Sequence, residues 1–171
     1  MQHAHIDISR GLDGEPVVLA CFDLREDEVA AARHAVATVA GERYRTPRIS
    51  ADDVLALREL TVIADELEHG LPAADPGPGT EAERGAEPPT GMEPAPGMEP
   101  APLIRTLVFQ PARLSVFRDA IAAFVEPRDD AEWLRAEDRE PLALLRRLLL
   151  PLEQLCADAL RAALSPESQV G

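Results

Sequence analysis

A chain of 171 residues with 28% charged side chains carries a formal net charge of −14, and all 17 of its basic residues are arginine. That balance excludes a nucleic-acid footprint, which needs a basic face to neutralise phosphates, and it disfavours an anionic membrane surface. The absence of lysine rules out Schiff-base and P-loop lysine chemistry.

The first residues, MQHAHIDIS, lack the charged start and apolar run of a signal peptide. No later stretch approaches the ~20 apolar residues of a membrane span. His5-Ile6-Asp7-Ile8 alternates, Gly11–Gly14 carries turn chemistry, and Pro16–Leu24 is nearly all apolar, which predicts an N-terminal hairpin. Asp23 is placed to cap a helix whose stripe is Val29, Ala32, Val36, Val39 and Ala40, with Gly41 ending it. Ser50-Ala-Asp-Asp53 is an N-cap signal for a second helix carrying Val54, Leu57, Leu60, Ile63, Ala64 and Leu67. Gly70 and Pro72 stop that helix.

Residues 72–102 change character. They hold most of the prolines, half the glycines, and the hexapeptide GMEPAP twice, at Gly91–Pro96 and Gly97–Pro102. Six acidic residues face Arg84 alone there, leaving −9 on the rest of the chain. Such a segment buries too little apolar surface to offset its conformational entropy, so it is expected to be a disordered acidic linker. Its composition favours a spacer over a PxxP ligand, since no arginine flanks Pro94-Ala-Pro96.

Beyond the linker, Leu103–Phe109 reads as a strand, and Pro111 suits the first turn of a helix with Leu114, Phe117, Ile121, Phe124 and Val125. Pro127 closes it. Ala131–Leu164 reads as a helix broken or kinked at Pro141 and Pro151, with Leu142, Leu145, Leu148, Leu152 and Leu155 on its apolar face. The tail 166–171 is expected to fray.

The two flanks match at one offset of 85 residues: Phe22 falls on Leu107, Val36 on Ile121, Leu57 on Leu142 and Leu67 on Leu152. We read an internal duplication, with halves at 1–71 and 103–165. Each half is a strand followed by two helices, too little to cover its own apolar faces. The predicted fold is therefore α+β and two-layered. Two duplicated strand–helix–helix units share a small antiparallel sheet, with four helices packed on one face. Val17–Cys21 and the leucines of the last helix exceed what one chain buries, which predicts a homodimer.

Few residues offer chemistry. His3, His5 and Asp7 alternate on one face of an extended segment but lack a fourth ligand, so no metal site is assigned. Glu66-x-x-His69 is half of a di-iron motif, and its counterpart under the duplication is Pro151 and Gln154, so that site is also unassigned. His34, between Arg33 and Ala35 in mid-helix, reads as solvated. Cys21 and Cys156 read as small core residues of a cytoplasmic protein rather than as a disulfide. None of the five serines lies in a Gly-x-Ser-x-Gly elbow.

The one basic cluster is Arg43-Tyr44-Arg45-Thr-Pro-Arg48, and its counterpart holds Arg128, Trp133 and Arg135. Guanidinium and aromatic groups together can take a phosphate, a nucleotide or an acidic segment. Ion pairing with Asp52, Asp53, Asp129 and Asp130 at helix starts is the competing use of the same arginines. The sequence thus favours a non-enzymatic protein–protein interaction, assembly or regulatory module, with another protein or itself as partner. No catalytic residue and no cofactor is assigned, and nucleic acid and membrane are excluded as partners. The alternative is a small-ligand or metal-binding sensor, its site between the halves near the two Arg/aromatic loops.

Overall fold

The computed structural model describes residues 1, 3–11, 13–45, 50–69, 104–129, 134 and 136–164. The linker predicted over 72–102 and the tail 166–171 lie outside these residues. Among those described, the order is β1 (Ala4–Arg10), β2 (Pro16–Arg25), α1 (Glu26–Tyr44), α2 (Ala51–His69), β3 (Ile104–Phe109), α3 (Pro111–Asp129) and α4 (Ala136–Leu164). The result is an α+β fold with an antiparallel sheet in the order β1-β2-β3.

The N-terminal hairpin forms as its sequence predicts. Gly11 N–H donates to the Glu15 carbonyl at 2.8 Å and Gly14 N–H to the Gly11 carbonyl at 3.0 Å. Gly14 takes a φ of 82°, a region closed to most side chains. In β2 the alternation is of degree rather than kind: Val18, Ala20, Phe22 and Leu24 are buried, and the residues between them are half-buried. Directly paired residues share a face. Ile6 opposite Ala20, Leu107 opposite Phe22 and Phe109 opposite Ala20 therefore join the inner face. None of the residues on the outer face is buried.

Phe22, Phe109 and Phe117 form the centre of the core. Phe109 meets the other two rings edge-on at 5.5 Å, while Phe22 and Phe117 stack at 6.0 Å. The rest is Leu, Val, Ile and Ala, as the low aromatic content requires.

α1 buries more than the single stripe predicted for it. Ala31, Ala32 and Ala35 are buried together with Val29, Val36 and Val39, because α1 is packed against α2, α3 and α4 at once. Its alanines let three neighbours approach closely. α2 packs on α1 and α3, and Arg105 of β3 reaches its C-terminal carbonyls at Leu67 and Glu68. α1, α3 and α4 make the broadest contacts with the sheet.

Several helix boundaries move from their expected places. Arg25, not Asp23, caps α1: Glu28 Oε2 accepts from Arg25 N–H at 2.9 Å, while Asp23 accepts from Thr106 Oγ1 at 2.7 Å. Glu28 is buried because its other oxygen holds the Met1 amino group at 2.6 Å. Gly41 does not end α1, which continues to Tyr44. Pro127 lies inside the last turn of α3, and Pro141 and Pro151 lie inside α4, which runs unbroken for 29 residues. Each proline deletes a single N–H. Buried Asp138 before Pro141, Leu142, Leu145 and Leu148 between the prolines, and Leu152 and Leu155 after Pro151 hold α4 to the core on both sides of those gaps.

Candidate functional site

The C-terminal ends of α1 and α3 come together, so the two loops singled out in the sequence begin side by side. Arg128 Nη2 pairs with Glu42 Oε1 at 2.8 Å. Its Nη1 donates to the Phe124 carbonyl at 3.1 Å, and the guanidinium lies 4.2 Å from the Phe124 ring centroid. Its Nε sits 3.7 Å from Asp138 Oδ2. With 14% of its side chain exposed, Arg128 is a structural cation rather than an open anion hook.

Arg43 is half-buried and helps to lower the Asp53 carboxyl, chiefly held down by its hydrogen bonds to Ser50. Tyr44 is 64% exposed and Arg45 is exposed at the helix end. Arg48, Trp133 and Arg135 lie outside the described residues. Of the seven candidate residues, then, three are on the surface at one end of α1, and Arg128 is turned into ion pairs.

The arrangement the sequence reading missed lies next to that cation. His34 Nε2 donates to Asp138 Oδ1 at 2.9 Å, and its ring meets Phe124 edge-on at 5.5 Å. Asp138 is buried, 6% exposed, at the start of α4. His34 is not free in solvent as predicted but joins a chain from Glu42 through Arg128 and Asp138, wrapped around Phe124. The clue in the sequence was slight: His34 sits beside Ala35 and one turn from Ala31, on the flank of the alanine stripe. Its partner is 104 residues away.

On the outer side of His34, a groove of about 370 Å³ runs between α1 and α4. Asp27, Ala30, Ala31 and His34 line it from α1, and Glu140, Pro141 and Leu144 from α4. A histidine backed by a buried aspartate could serve in acid–base chemistry. None of these lining residues is a serine, threonine or cysteine nucleophile.

A second cluster ties α2 to α3. Arg113 Nε pairs with Glu59 at 3.1 Å and its Nη1 with Glu66 at 2.7 Å, leaving Glu66 Oε2 buried without a hydrogen bond. His69 turns instead to Asp65, so Glu66 and His69 do not share a site. Burial pushes the Glu66 carboxyl above its ordinary value of 4.5 despite the opposing pull of Arg113, and the Glu59 and Asp65 carboxylates add to the rise. A carboxyl raised in the folded state binds more protons folded than unfolded in that window. Its ionised form therefore costs stability near neutral pH, and the cost disappears as pH falls through the raised value towards 4.5. Relative to Glu66→Gln, the wild type should gain stability as pH drops across that interval, read as the difference between two urea-unfolding series. A difference that stays flat with pH would refute the buried-carboxylate account.

Cys21 and Cys156 are free thiols, both pushed up first by burial. Cys156 is in the core as expected, but Cys21 is half-buried on the outer face of the sheet between Asp7 and Asp23, which raise it further. No described helix is long and apolar enough to cross a membrane. Comparison with protein-family models, with characterised proteins and with solved structures finds no match.

Proposed function

We propose that this chain is a non-enzymatic protein–protein interaction module that pairs with a second copy of itself through the outer face of its sheet. The observation that carries the reading is the Val17–Cys21 part of β2, which is apolar on both sides although only one side is covered. Val17, Leu19 and Cys21 occupy its outer face, and Val108 extends the patch across Cys21, with Ile104 50% exposed nearby. An antiparallel sheet left to water on one face ordinarily alternates apolar with polar.

A second copy suits this patch in size. Strands of seven, ten and six residues, spaced by ~4.8 Å and rising ~3.3 Å per residue, give about 360 Å² of plan area per copy. That is roughly half of the ~800 Å² that each partner brings to a standard interface. An area of this size fits a weak, reversible dimer.

The strand register also supports the duplication. Phe22 lies opposite Leu107, and the pairs Ala20–Phe109 and Leu24–Arg105 exchange under the 85-residue offset. A twofold through the Phe22–Leu107 pair would relate β2 to β3. Two free thiols suit a reducing compartment, and the proposal places the protein in the cytoplasm. The rival sensor reading loses Arg128 to internal ion pairs.

Sedimentation equilibrium over a range of concentrations tests the dimer. The wild type should reach twice the chain mass, and Leu19→Arg or Val108→Arg should raise the dissociation constant roughly 100-fold by stranding a charge in an apolar contact. A wild type that remains monomeric at high concentration, or variants that dimerise unchanged, would overturn the proposal.

A further inference from the structure

The groove between α1 and α4 is a docking surface of a different chemistry from the sheet face. We infer that it receives a basic, partly apolar segment of another protein, with an arginine or lysine side chain seated between Asp27 and Glu140. The inference deepens the interaction-module reading, on which it rests for the kind of partner, but it uses a separate surface.

Three observations select the occupant. The floor is apolar and shallow-walled: Ala30 and Ala31 of α1 put only methyl groups there, facing Pro141 and Leu144 of α4. The rim is acidic, with Asp27 and Glu140 both exposed and no arginine in the lining. The far end is fixed, because Asp138 holds the His34 ring in place from behind at 2.9 Å.

Charge decides between possible partners. Asp27 already has Arg25 at 2.8 Å, a surface pair that water screens and that a better-placed cation can displace. A chain with a net charge of −14 repels acidic segments and speeds the approach of basic ones. At about 370 Å³ the groove is at the low end of small-ligand sites. Its exposed rims suit one or two anchoring side chains from a longer segment, in the manner of a helix lying in a groove.

Amide chemical-shift titration of the full chain with designed probes tests the inference. The first probe is a capped twelve-residue peptide with leucine and arginine at helical spacing. The second replaces its arginines with glutamate, and the third is free arginine amide. The arginine peptide should saturate shifts at Ala30, Ala31, His34 and Leu144 below about 1 mM, a weak but specific affinity. Glu140→Arg should abolish that saturation, and Glu140→Gln should weaken it about fivefold, the scale of one partly exposed ion pair. Both variants change an exposed side chain, and unchanged dispersion of the remaining amides will show that the fold is intact.

Failure has distinct forms. Shifts spread over the acidic surface without saturation, equal binding of the glutamate peptide, or indifference to Glu140 would each overturn the inference. Free arginine amide binding as tightly as the peptide would also overturn it, by making the groove a small-cation site. Dimerisation through Leu19 and Val108 can stand or fall independently, because neither residue touches the groove.

Discussion

Phe22→Ala should lower the unfolding free energy by about 3–5 kcal/mol, the range for removing a buried aromatic ring that the core cannot close over. Phe22 is 1% exposed at the middle of the central strand, and its ring contacts both Phe109 and Phe117. Deleting it removes buried apolar surface and two ring–ring contacts, each worth a further ~0.5–1.5 kcal/mol. The helices around it are fixed by their own leucines, so the cavity cannot collapse without moving α3 or the strands. A small domain has ~5–15 kcal/mol in total, so this one change removes a large fraction. Urea denaturation should show a lower midpoint with an unchanged slope.

The control is three residues away on the same strand. Leu19→Ala removes an apolar side chain of comparable bulk from the half-buried outer face, and it should cost about 1 kcal/mol or less under conditions where the protein is monomeric. If the two substitutions cost the same, the sheet does not have one covered and one open face. That result would also weaken the dimer proposal, which depends on the same asymmetry.

The difference between these residues shows what the sequence could reveal. Periodicity located all seven elements, because a strand or helix with one buried side writes its period into nearby residues. Local chemistry was equally visible: Ser50 Oγ accepts from Asp53 N–H at 3.1 Å and the Asp53 carboxylate accepts from Ser50 N–H at 3.0 Å, a capping box contained in four residues. Failure began where a residue's fate depends on distant chain. α1 has too little amphipathic contrast to announce that three helices surround it. Prolines 141 and 151 were read by their local penalty, whereas the leucines around them decide the outcome. Asp23 looked like a cap until Thr106, 83 residues later, supplied another partner.

The candidate site followed the same rule. Arginines 43 and 45 were visible as a cluster with a tyrosine and Arg128 as part of its counterpart, but whether each would bind a ligand or pair internally depended on what the fold put beside it. Glu42 and Asp138 settled that for Arg128. His34 was passed over because its neighbours in sequence are unremarkable and its partner begins another helix.

Asp138→Ala tests whether that hidden pairing matters. Its carboxylate is buried, receives a hydrogen bond from His34, and lies 3.7 Å from the Arg128 guanidinium. Removing it strands part of a cation that is itself only 14% exposed. Arg128 keeps Glu42, the Phe124 carbonyl and the Phe124 ring, so the loss should be less than for a fully orphaned buried charge. We expect about 2–4 kcal/mol, the cost of breaking a buried charged contact by deleting one partner. His34→Ala should cost less, about 1 kcal/mol, since its side chain is 39% exposed and can exchange Asp138 for water. The double variant separates the contributions: a coupling of ~0.5–1.5 kcal/mol assigns that much to the His34–Asp138 contact itself. The remainder of the Asp138 effect then belongs to Arg128 and should vanish in an Arg128→Met background, where an apolar side chain covers Phe124 without a charge to satisfy. If Asp138→Ala lies within ~0.5 kcal/mol of wild type, the network is peripheral, and His34 behaves as the solvated residue its sequence neighbours suggest.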